Sequence, residues 1–431
     1  MPDILGKRLT HRKIKGFVFA PGWAADTLEC RITLLESLLG AGGCRRSGAS
    51  SNNGQLRLLP IIQKADAAKP PKQRFGCRRY PRTSLREYTE GLIVLTPERI
   101  IQIGMGHWPA RTLQTAVKFG LFTVLGDGDM TGERLRTVLG LSPRANPDFF
   151  DALVALGILD RKGDGPQAVY SNSEEASAFL DKASKTYVGG FLEMSHDRLY
   201  PFWTDLGTAL KTGKPQNETK DGGAPMFDQL YADPERLEQF MAAMSSISAG
   251  NFQALAAKFD FAPYATLCDV GGAEGILSIM VARAHPHMRC TSADLAAVEP
   301  IAGKKIAAAG LSDRVGTAVI DFFRDPLPKA DVITMGMILH DWDLDTKKML
   351  VSKAFDALPP GGAFIVIEQL IDDGRRENAF GLMMSLNMLI EFGEAFDYTG
   401  ADFKSWCLEA GFARSEVLHL AGPSSAAIAY K

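Results

Sequence analysis

Residues 267–275 read Leu-Cys-Asp-Val-Gly-Gly-Ala-Glu-Gly, a short apolar segment that runs into a glycine turn and then a helical pattern. Similar apolar segments alternate with helical patterns further along the chain, which predicts a parallel sheet covered by helices. The predicted strands are 266–270, 289–293, 315–320, 331–338 and 363–369, followed by a hairpin at 414–420 and 425–430. The fold class predicted for this part of the chain is therefore α/β.

A polar residue stands at the end of nearly every predicted strand. These residues are Asp269, Asp294, Asp321, His340 and Glu368. Because ligands bind at the carboxyl ends of the strands in an open parallel sheet, we expect the five side chains to converge on one crevice. Acids and a histidine brought together in this way predict an enzyme site.

The glycine turn excludes two well-known phosphate-binding loops. A dinucleotide site requires G-x-G-x-x-G, and residues 271–275 read Gly-Gly-Ala-Glu-Gly, with alanine at the position of the second glycine. No Gly-Lys-Ser/Thr follows, so the turn is not a P-loop. We expect Glu274 to begin the next helix, where its carboxylate repels a phosphate. With Asp269, Asp294 and Asp321 it would form an acidic cradle, which favours a cationic ligand bearing hydroxyl and amino groups.

S-adenosylmethionine has the groups that such a cradle would recognise. Asp294 follows Gly271 by 23 residues, which is the position of an acid that binds ribose hydroxyls. Asp321 offers an acceptor for the exocyclic amine of adenine, and Phe322 offers an aromatic face beside the purine. The predicted cofactor-binding residues are Asp269, Gly271, Gly272, Asp294, Asp321 and Phe322.

The fourth predicted strand ends in Ile-Leu-His-Asp-Trp at 338–342. A lone histidine is more often structural, but His340 stands at the predicted crevice beside an aromatic residue. Histidine has an ordinary pKa of about 6.5 and can accept a proton near neutral pH. Glu368 follows the fifth strand and could hold the other ring nitrogen, as the acid of a catalytic triad does. We therefore predict His340 as a general base and Glu368 as its partner.

From about residue 95 onward the chain resembles the class II, caffeate/acetylserotonin-type small-molecule O-methyltransferases. The matching motifs are Asp-Val-Gly-Gly at 269–272, Ile-Leu-His-Asp-Trp at 338–342, Leu-Pro-Pro-Gly-Gly at 358–362 and Ser-Leu-Asn-Met-Leu at 385–389. The resemblance implies an N-terminal winged-helix, mostly helical dimerisation domain, a C-terminal Rossmann-like methyltransferase domain that binds S-adenosylmethionine, and a homodimer. It also implies that His340 takes the proton from a substrate hydroxyl.

Three positions depart from the family pattern. The family carries its second catalytic carboxylate in Lys-Glu-Arg-Thr, whereas residues 396–399 read Phe-Asp-Tyr-Thr, so Asp397 replaces the glutamate and Glu394 is the alternative. The glycine turn usually continues as Gly-Thr-Gly, and here residues 273–275 read Ala-Glu-Gly. Gly336 stands where plant relatives often carry a lysine near the adenine. The changes in the glycine turn and at Gly336 predict fewer cofactor contacts than is usual.

The predicted reaction is methyl transfer to a hydroxyl of a small aromatic molecule, a phenol or a hydroxyindole such as acetylserotonin. The residues predicted to bind this acceptor are Phe240, Met244, Asp341, Met384, Asn387 and Met388. The alternatives are a hydroxylase or decarboxylase that uses the same fold, and a winged-helix regulator that only binds the small molecule. The histidine disfavours the first alternative, and the lack of a basic recognition helix between Thr131 and Leu156 disfavours the second.

The chain of 431 residues is long enough for two or three domains. Residues 96–170 read as helices followed by a short hairpin, which is a winged-helix pattern. We predict a basic extension at 1–88, a dimerisation domain at 89–180, a helical substrate-wall region at 181–262 and a catalytic domain at 263–431. The extension is predicted to be disordered; a transit peptide and a nucleic-acid contact are the alternatives.

The net charge of -2 does not indicate a nucleic-acid or membrane partner, although residues 1–90 hold 17 Lys/Arg against 7 Asp/Glu. No apolar run reaches the roughly 20 residues of a membrane span. The six cysteines form no CxxC pair and no metal-ligand spacing, so we predict no metal and a reducing, cytoplasmic location. Targeting to an organelle by the basic extension is the alternative.

Overall fold

The computed structural model describes residues 95–224 and 226–431. The predictions made for residues 1–88, and the domain boundary at residue 89, lie outside the described residues.

The first part of the described chain contains six helices and a small antiparallel sheet. The helices are α1 (Glu98–Gly104), α2 (His107–Lys118), α3 (Leu121–Gly126), α4 (Gly132–Val138), α5 (Asp148–Ala155) and α6 (Glu174–Phe179). The strands β1 (Met130–Thr131), β2 (Leu159–Lys162) and β3 (Val169–Asn172) pair in the order β1-β3-β2. The hairpin of β2 and β3 lies where the sequence predicts it. Thr131 caps α4, because its side chain accepts a hydrogen bond from the Arg134 backbone N–H at 3.3 Å.

A run of helices links this part to the large sheet. It comprises α7 (Gly189–Met194), α8 (Tyr200–Trp203), α9 (Leu206–Thr212), α10 (Met226–Tyr231) and α11 (Pro234–Lys258). A π-helical turn, Ser195–Leu199, joins α7 to α8. The long helix α11 begins where Asp233 accepts a hydrogen bond from the Arg236 backbone N–H, with proline in its first position.

The large sheet has seven strands in the order β6-β5-β4-β7-β8-β10-β9. Its strands are β4 (Thr266–Val270), β5 (Arg289–Asp294), β6 (Val315–Val319), β7 (Val332–Gly336), β8 (Ala363–Glu368), β9 (Arg414–His419) and β10 (Ser425–Tyr430). Strands β4 to β8 run parallel, and β10 pairs antiparallel with both β8 and β9. The remaining helices are α12 (Ile276–Ala284), α13 (Glu299–Ala308), α14 (Leu344–Ala357), α15 (Ala379–Phe392) and α16 (Gly400–Ala410).

Hydrophobic layers cover both faces of the sheet. Every residue of β8 is buried, and its side chains alternate between the layers because successive strand residues point to opposite faces. Phe364 and Val366 pack in the layer that contains α14, whereas Ile365 and Ile367 pack in the layer that contains α11 and α12. A sheet buried on both faces is the Rossmann-like arrangement that the sequence predicts. It leaves the carboxyl ends of the strands as the open edge where a ligand can bind.

Candidate active site

A cavity of about 520 Å³ lies at the carboxyl ends of the parallel strands. The turns that follow β4, β5, β6 and β7 form one side of it, and side chains from α11 and α15 contribute to the other. Four of the five polar residues predicted to converge line it directly: Asp269, Asp294, Asp321 and His340. Glu368 lies behind His340 and is 1 % exposed.

Asp294 ends β5 and holds the glycine turn in place. Its Oδ2 accepts a hydrogen bond from the Ala273 backbone N–H at 2.9 Å, and its Oδ1 accepts one from Leu295 at 2.7 Å. Burial raises the pKa of Asp294. Asp269 is fully buried below it and accepts a hydrogen bond from the Thr334 hydroxyl at 2.7 Å. Burial raises the pKa of Asp269 to about 7.

The glycines keep the turn free of side chains where it borders the cavity. Gly271 has φ +69°, and a Cβ there would collide with the Ile338 side chain. A Cβ at Gly272 would collide with the Ser292 hydroxyl. Ala273 also has a positive φ, 47°, which non-glycine residues rarely adopt. The Asp294 carboxylate holds the Ala273 N–H, which offsets part of this backbone strain.

Glu274 does not belong to the acidic cradle that the sequence predicts. The helix α12 begins at Ile276, after Gly275, so Glu274 lies before the helix instead of beginning it. Its carboxylate is 2 % exposed and pairs with Lys305 of α13 at 3.1 Å. The prediction was wrong because the left-handed turn at Gly275 directs the preceding side chain toward α13. Asp321 and Phe322, which follow β6, do line the cavity as expected.

His340 lies in a short 3₁₀ turn after β7 and is surrounded by three carboxylates. Its Nε2 lies 3.3 Å from Asp341 Oδ1, and its Nδ1 lies 3.4 Å from Asp397 Oδ1 and 3.8 Å from Glu368 Oε2. Glu368 is fixed in turn, because its Oε1 accepts a hydrogen bond from the Leu339 backbone N–H at 3.1 Å. Carboxylates thus face both ring nitrogens, and His340 and Asp341 both line the cavity.

The carboxylates strengthen the hold of His340 on its proton. Burial alone lowers the pKa of the imidazole, but Glu368, Asp341 and Asp397 outweigh burial and raise it to about 10. Burial raises the pKa of Glu368 to about 7 and that of Asp341 to about 6, although the imidazolium opposes both shifts. The three carboxylates therefore favour the protonated form of the imidazole.

The structure distinguishes the two carboxylates left open by the sequence. Asp397 is 2 % exposed and faces His340, while Glu394 is exposed.

The residues predicted to bind the acceptor all line the cavity. Phe240 and Met244 come from α11; Met384, Asn387 and Met388 come from α15; Asp341 lies beside His340. Asn387 Oδ1 accepts a hydrogen bond from the Trp203 indole N–H at 2.9 Å, which leaves its amide N–H groups available to a ligand.

Two features of the wall escaped the sequence prediction. Phe227 stacks on Phe392 with ring centroids 5.8 Å apart and an angle of 3°, and on Tyr231 at 6.0 Å and 17°. Arg198, in the π-helical turn, binds both Glu391 and Glu218. The four-residue spacing of Phe227 and Tyr231 indicates one face of a helix. No sequence signal links Arg198 to a glutamate 193 residues away.

Two family profiles match the chain. The O-methyltransferase dimerisation domain matches residues 102–182, and the O-methyltransferase domain matches residues 203–413.

Several curated relatives and solved structures are similar over most of the chain. The tetracenomycin polyketide synthesis 8-O-methyl transferase of Streptomyces glaucescens is 39% identical over 335 residues, which are 78% of this chain and 97% of that protein. The 3-hydroxy-5-methyl-1-naphthoate 3-O-methyltransferase of Streptomyces sahachiroi is 33% identical, covering 76% of this chain and 93% of that protein. The human N-acetylserotonin methyltransferase, solved with S-adenosylmethionine, superposes with a TM-score of 0.72 at 26% identity, covering 79% of this chain and 99% of that one.

The cavity fits S-adenosylmethionine. Gly271 and Gly272 line the cavity without side chains, and the half-buried Asp294 carboxylate retains lone pairs that can accept from ribose hydroxyls. Phe322 offers a ring face on the same side. With its site, its sheet and both family profiles in agreement, the chain belongs to the S-adenosylmethionine-dependent O-methyltransferases that carry a dimerisation domain ahead of the catalytic domain.

Proposed function

We propose that the protein methylates a hydroxyl group on a flat, fused-ring aromatic acceptor and that His340 is the general base. The observation that carries this proposal is the position of His340, which lies beside three carboxylates at the wall of an apolar cavity. The predicted cofactor-binding residues line the same cavity. S-adenosylmethionine supplies an electrophilic methyl group when it is bound. The residues of the chain have to orient the acceptor and remove its proton.

An aromatic hydroxyl is acidic enough to give its proton to an imidazole. The imidazole of His340 has to be neutral before it can accept that proton. The neighbouring carboxylates raise the pKa of His340, so we expect methyl transfer to be faster above neutral pH. Glu368 and Asp397 would stabilise the imidazolium once the proton has moved. The acceptor oxygen is then a phenolate-like nucleophile aimed at the methyl carbon.

The wall of the cavity favours a flat acceptor. Phe227, Tyr231 and Phe392 line it with rings that stack on one another, and the methionines of α15 are flexible apolar side chains that can adapt to a ring system. Two relatives are named for a tetracenomycin 8-O-methylation and for a hydroxynaphthoate 3-O-methylation. These names support fused aromatic rings over the acetylserotonin-like acceptor that the sequence motifs favour.

A methyl-transfer assay with labelled S-adenosylmethionine tests the proposal. The acceptor panel should contain hydroxynaphthoates, anthracyclic phenols, simple phenols and N-acetylserotonin. We expect hydroxynaphthoates or larger fused phenols to give the highest kcat/KM. If N-acetylserotonin or a monocyclic phenol is preferred, the fused-ring assignment is wrong.

His340→Gln should lower kcat by about 10²–10⁴-fold, because the acceptor would keep its proton. Binding of S-adenosylmethionine, measured by calorimetry, should be unchanged, since Asp294 and the glycine turn are untouched. His419→Gln is the matched control, because His419 is exposed on β9 and does not line the cavity. More than about a tenth of wild-type turnover in His340→Gln would rule out the base role.

We also propose a homodimer formed through the helices that precede residue 180. The dimerisation profile covers 102–182, and large apolar side chains there are open to solvent: Ile103 is 71% exposed and Trp108 is 60% exposed. The domain division proposed is a dimerisation domain to residue 180, a substrate-wall region at 181–262 and a catalytic domain at 263–431.

Among residues 95–224 and 226–431, no helix has both the length and the hydropathy required to cross a bilayer.

A further inference from the structure

The side chain of Lys353, on α14, binds the backbone of the turn that follows β6. Its Nζ donates hydrogen bonds to the carbonyl oxygens of Phe322 at 2.7 Å, Asp325 at 2.9 Å and Phe323 at 3.2 Å. An ammonium group has three N–H donors, so these three carbonyls account for all of them. One lysine thus draws three carbonyls of the turn to a single point.

The turn spans residues 321–325 and binds several of its amide groups internally. Asp321 Oδ1 accepts a hydrogen bond from the Phe323 N–H at 3.0 Å, and Asp325 Oδ2 accepts one from the Asp321 N–H at 2.8 Å. The Asp325 N–H donates to the Asp321 carbonyl at 2.7 Å. The carbonyls of Phe322, Phe323 and Asp325 take no part in these bonds, and Lys353 supplies their donor.

This turn carries part of the aromatic wall of the cavity. Phe322 lies edge-on to Trp342, with ring centroids 6.0 Å apart and an angle of 79° between the ring planes. Phe323 lies edge-on to the same indole at 4.8 Å and 89°. All three rings line the cavity, as Asp321 does, but Lys353 does not. Any effect of Lys353 on a ligand therefore passes through the turn.

We propose that Lys353 is a positioning residue for S-adenosylmethionine: its ammonium fixes the backbone of the turn and so holds the Phe322 ring at the cavity wall, where the adenine is expected. The inference rests on the expected contact between Phe322 and the cofactor, and it does not depend on the acceptor or on His340. A ring that is already held in place loses less conformational entropy when a ligand binds. Without the ammonium, three carbonyls lose a charged donor and the turn becomes free to move.

Lys353→Met should weaken cofactor binding and leave the chemical step intact. Methionine keeps an apolar stem but has no donor, so the dissociation constant of S-adenosylmethionine should rise about fivefold or more. Isothermal titration calorimetry on the full chain measures this change. The KM for the cofactor should rise in proportion, and kcat at saturating cofactor should stay within about twofold, because His340 is untouched.

Lys348→Met is the matched control, because Lys348 lies on the same helix and pairs on the surface with Glu409 at 2.7 Å. We expect its dissociation constant to equal that of the wild-type chain. An unchanged dissociation constant in Lys353→Met would overturn the proposal. A loss of kcat with an unchanged KM for the cofactor would also overturn it.

A double-mutant cycle tests whether the effect passes through the Phe322 ring. Phe322→Ala removes the ring and keeps the carbonyl that Lys353 binds. Substitutions that act on one contact are not additive, so Lys353→Met should raise the dissociation constant less in the Phe322→Ala background than in the wild-type chain. An equal factor in both backgrounds would overturn the proposal. A wild-type dissociation constant in Phe322→Ala alone would remove the cofactor contact on which it rests.

Lys353→Gln covers the case in which Lys353→Met does not fold. The glutamine amide has two donors on a shorter side chain, so it cannot replace all three hydrogen bonds. Thermal unfolding without cofactor checks that the variant is folded. Its dissociation constant for S-adenosylmethionine should exceed that of Lys348→Met, and equal values in the two folded variants would overturn the proposal.

Discussion

At the scale of single residues, one carboxylate holds the glycine turn and still has lone pairs for a ligand. Asp294 accepts hydrogen bonds from Ala273 and Leu295 through different oxygens, and each oxygen keeps a second lone pair. The two hydrogen bonds from the backbone therefore orient the carboxylate and leave it able to accept further hydrogen bonds. Asp294 also lines the cavity, so these remaining lone pairs can accept hydrogen bonds from a ligand.

Asp294→Ala should weaken the binding of S-adenosylmethionine by at least tenfold. Each lost hydrogen bond to a charged group costs about 1.5–3 kcal/mol, and about 1.4 kcal/mol corresponds to tenfold in affinity. Isothermal titration calorimetry measures the change, with Asp356→Ala on the exposed side of α14 as the control. An unchanged Kd would remove Asp294 from the cofactor site.

The positions of the residues that line the cavity could be predicted from the sequence where those residues follow a strand. Asp294, Asp321 and His340 each come within a few residues of a predicted strand end, and the carboxyl ends of parallel strands share one edge. Glu274 and Lys353 could not be placed in the same way, since their directions depend on packing. For Lys353 a partial signal existed: Leu350 and Ala357, which are buried, lie three residues before it and four residues after it on α14.

At the scale of elements, the side chain of Arg198 ties the π-helical turn at Ser195–Leu199 to α15, which lines the cavity. Arg198 Nε and Nη2 bind Glu218 at 2.7 and 2.8 Å, and its Nη1 and Nη2 bind Glu391 of α15 at 2.9 and 2.7 Å. π-helical turns occur frequently at functional sites, and the widened turn here lets one guanidinium bridge two acids. The strands and long helices were predictable from their periodicity, whereas this turn depends on partners distant in sequence.

Arg198→Met should destabilise the fold. Removing one partner of a buried ion pair leaves an uncompensated charge and costs about 3 kcal/mol or more. Lys118→Met, which breaks the exposed pair with Asp197 of the same turn, should cost less than about 1 kcal/mol. Urea unfolding of both variants measures the difference. Equal losses would show that the Arg198 network does not fasten the turn.

At the scale of the whole molecule, we expect the N-terminal extension to be dispensable. Residues 1–90 carry 17 Lys/Arg against 7 Asp/Glu, and the dimerisation profile begins only at residue 102. Deleting residues 1–88 should leave a folded, active homodimer. Light scattering after size-exclusion chromatography, together with the methyl-transfer assay, measures this. A monomeric or insoluble product would contradict both the domain boundary and the proposed dimer interface.

The order in which the strands are synthesised differs from their order in the sheet. β10 follows β9 in the chain, yet it lies between β8 and β9. Until β10 emerges from the ribosome, β8 is an open edge, and Glu368 at its end lacks Ser425, the residue that faces it across the ladder. Among the described strands, β10 therefore closes the edge of β8 beside the carboxylate behind His340, although β9 is made before it.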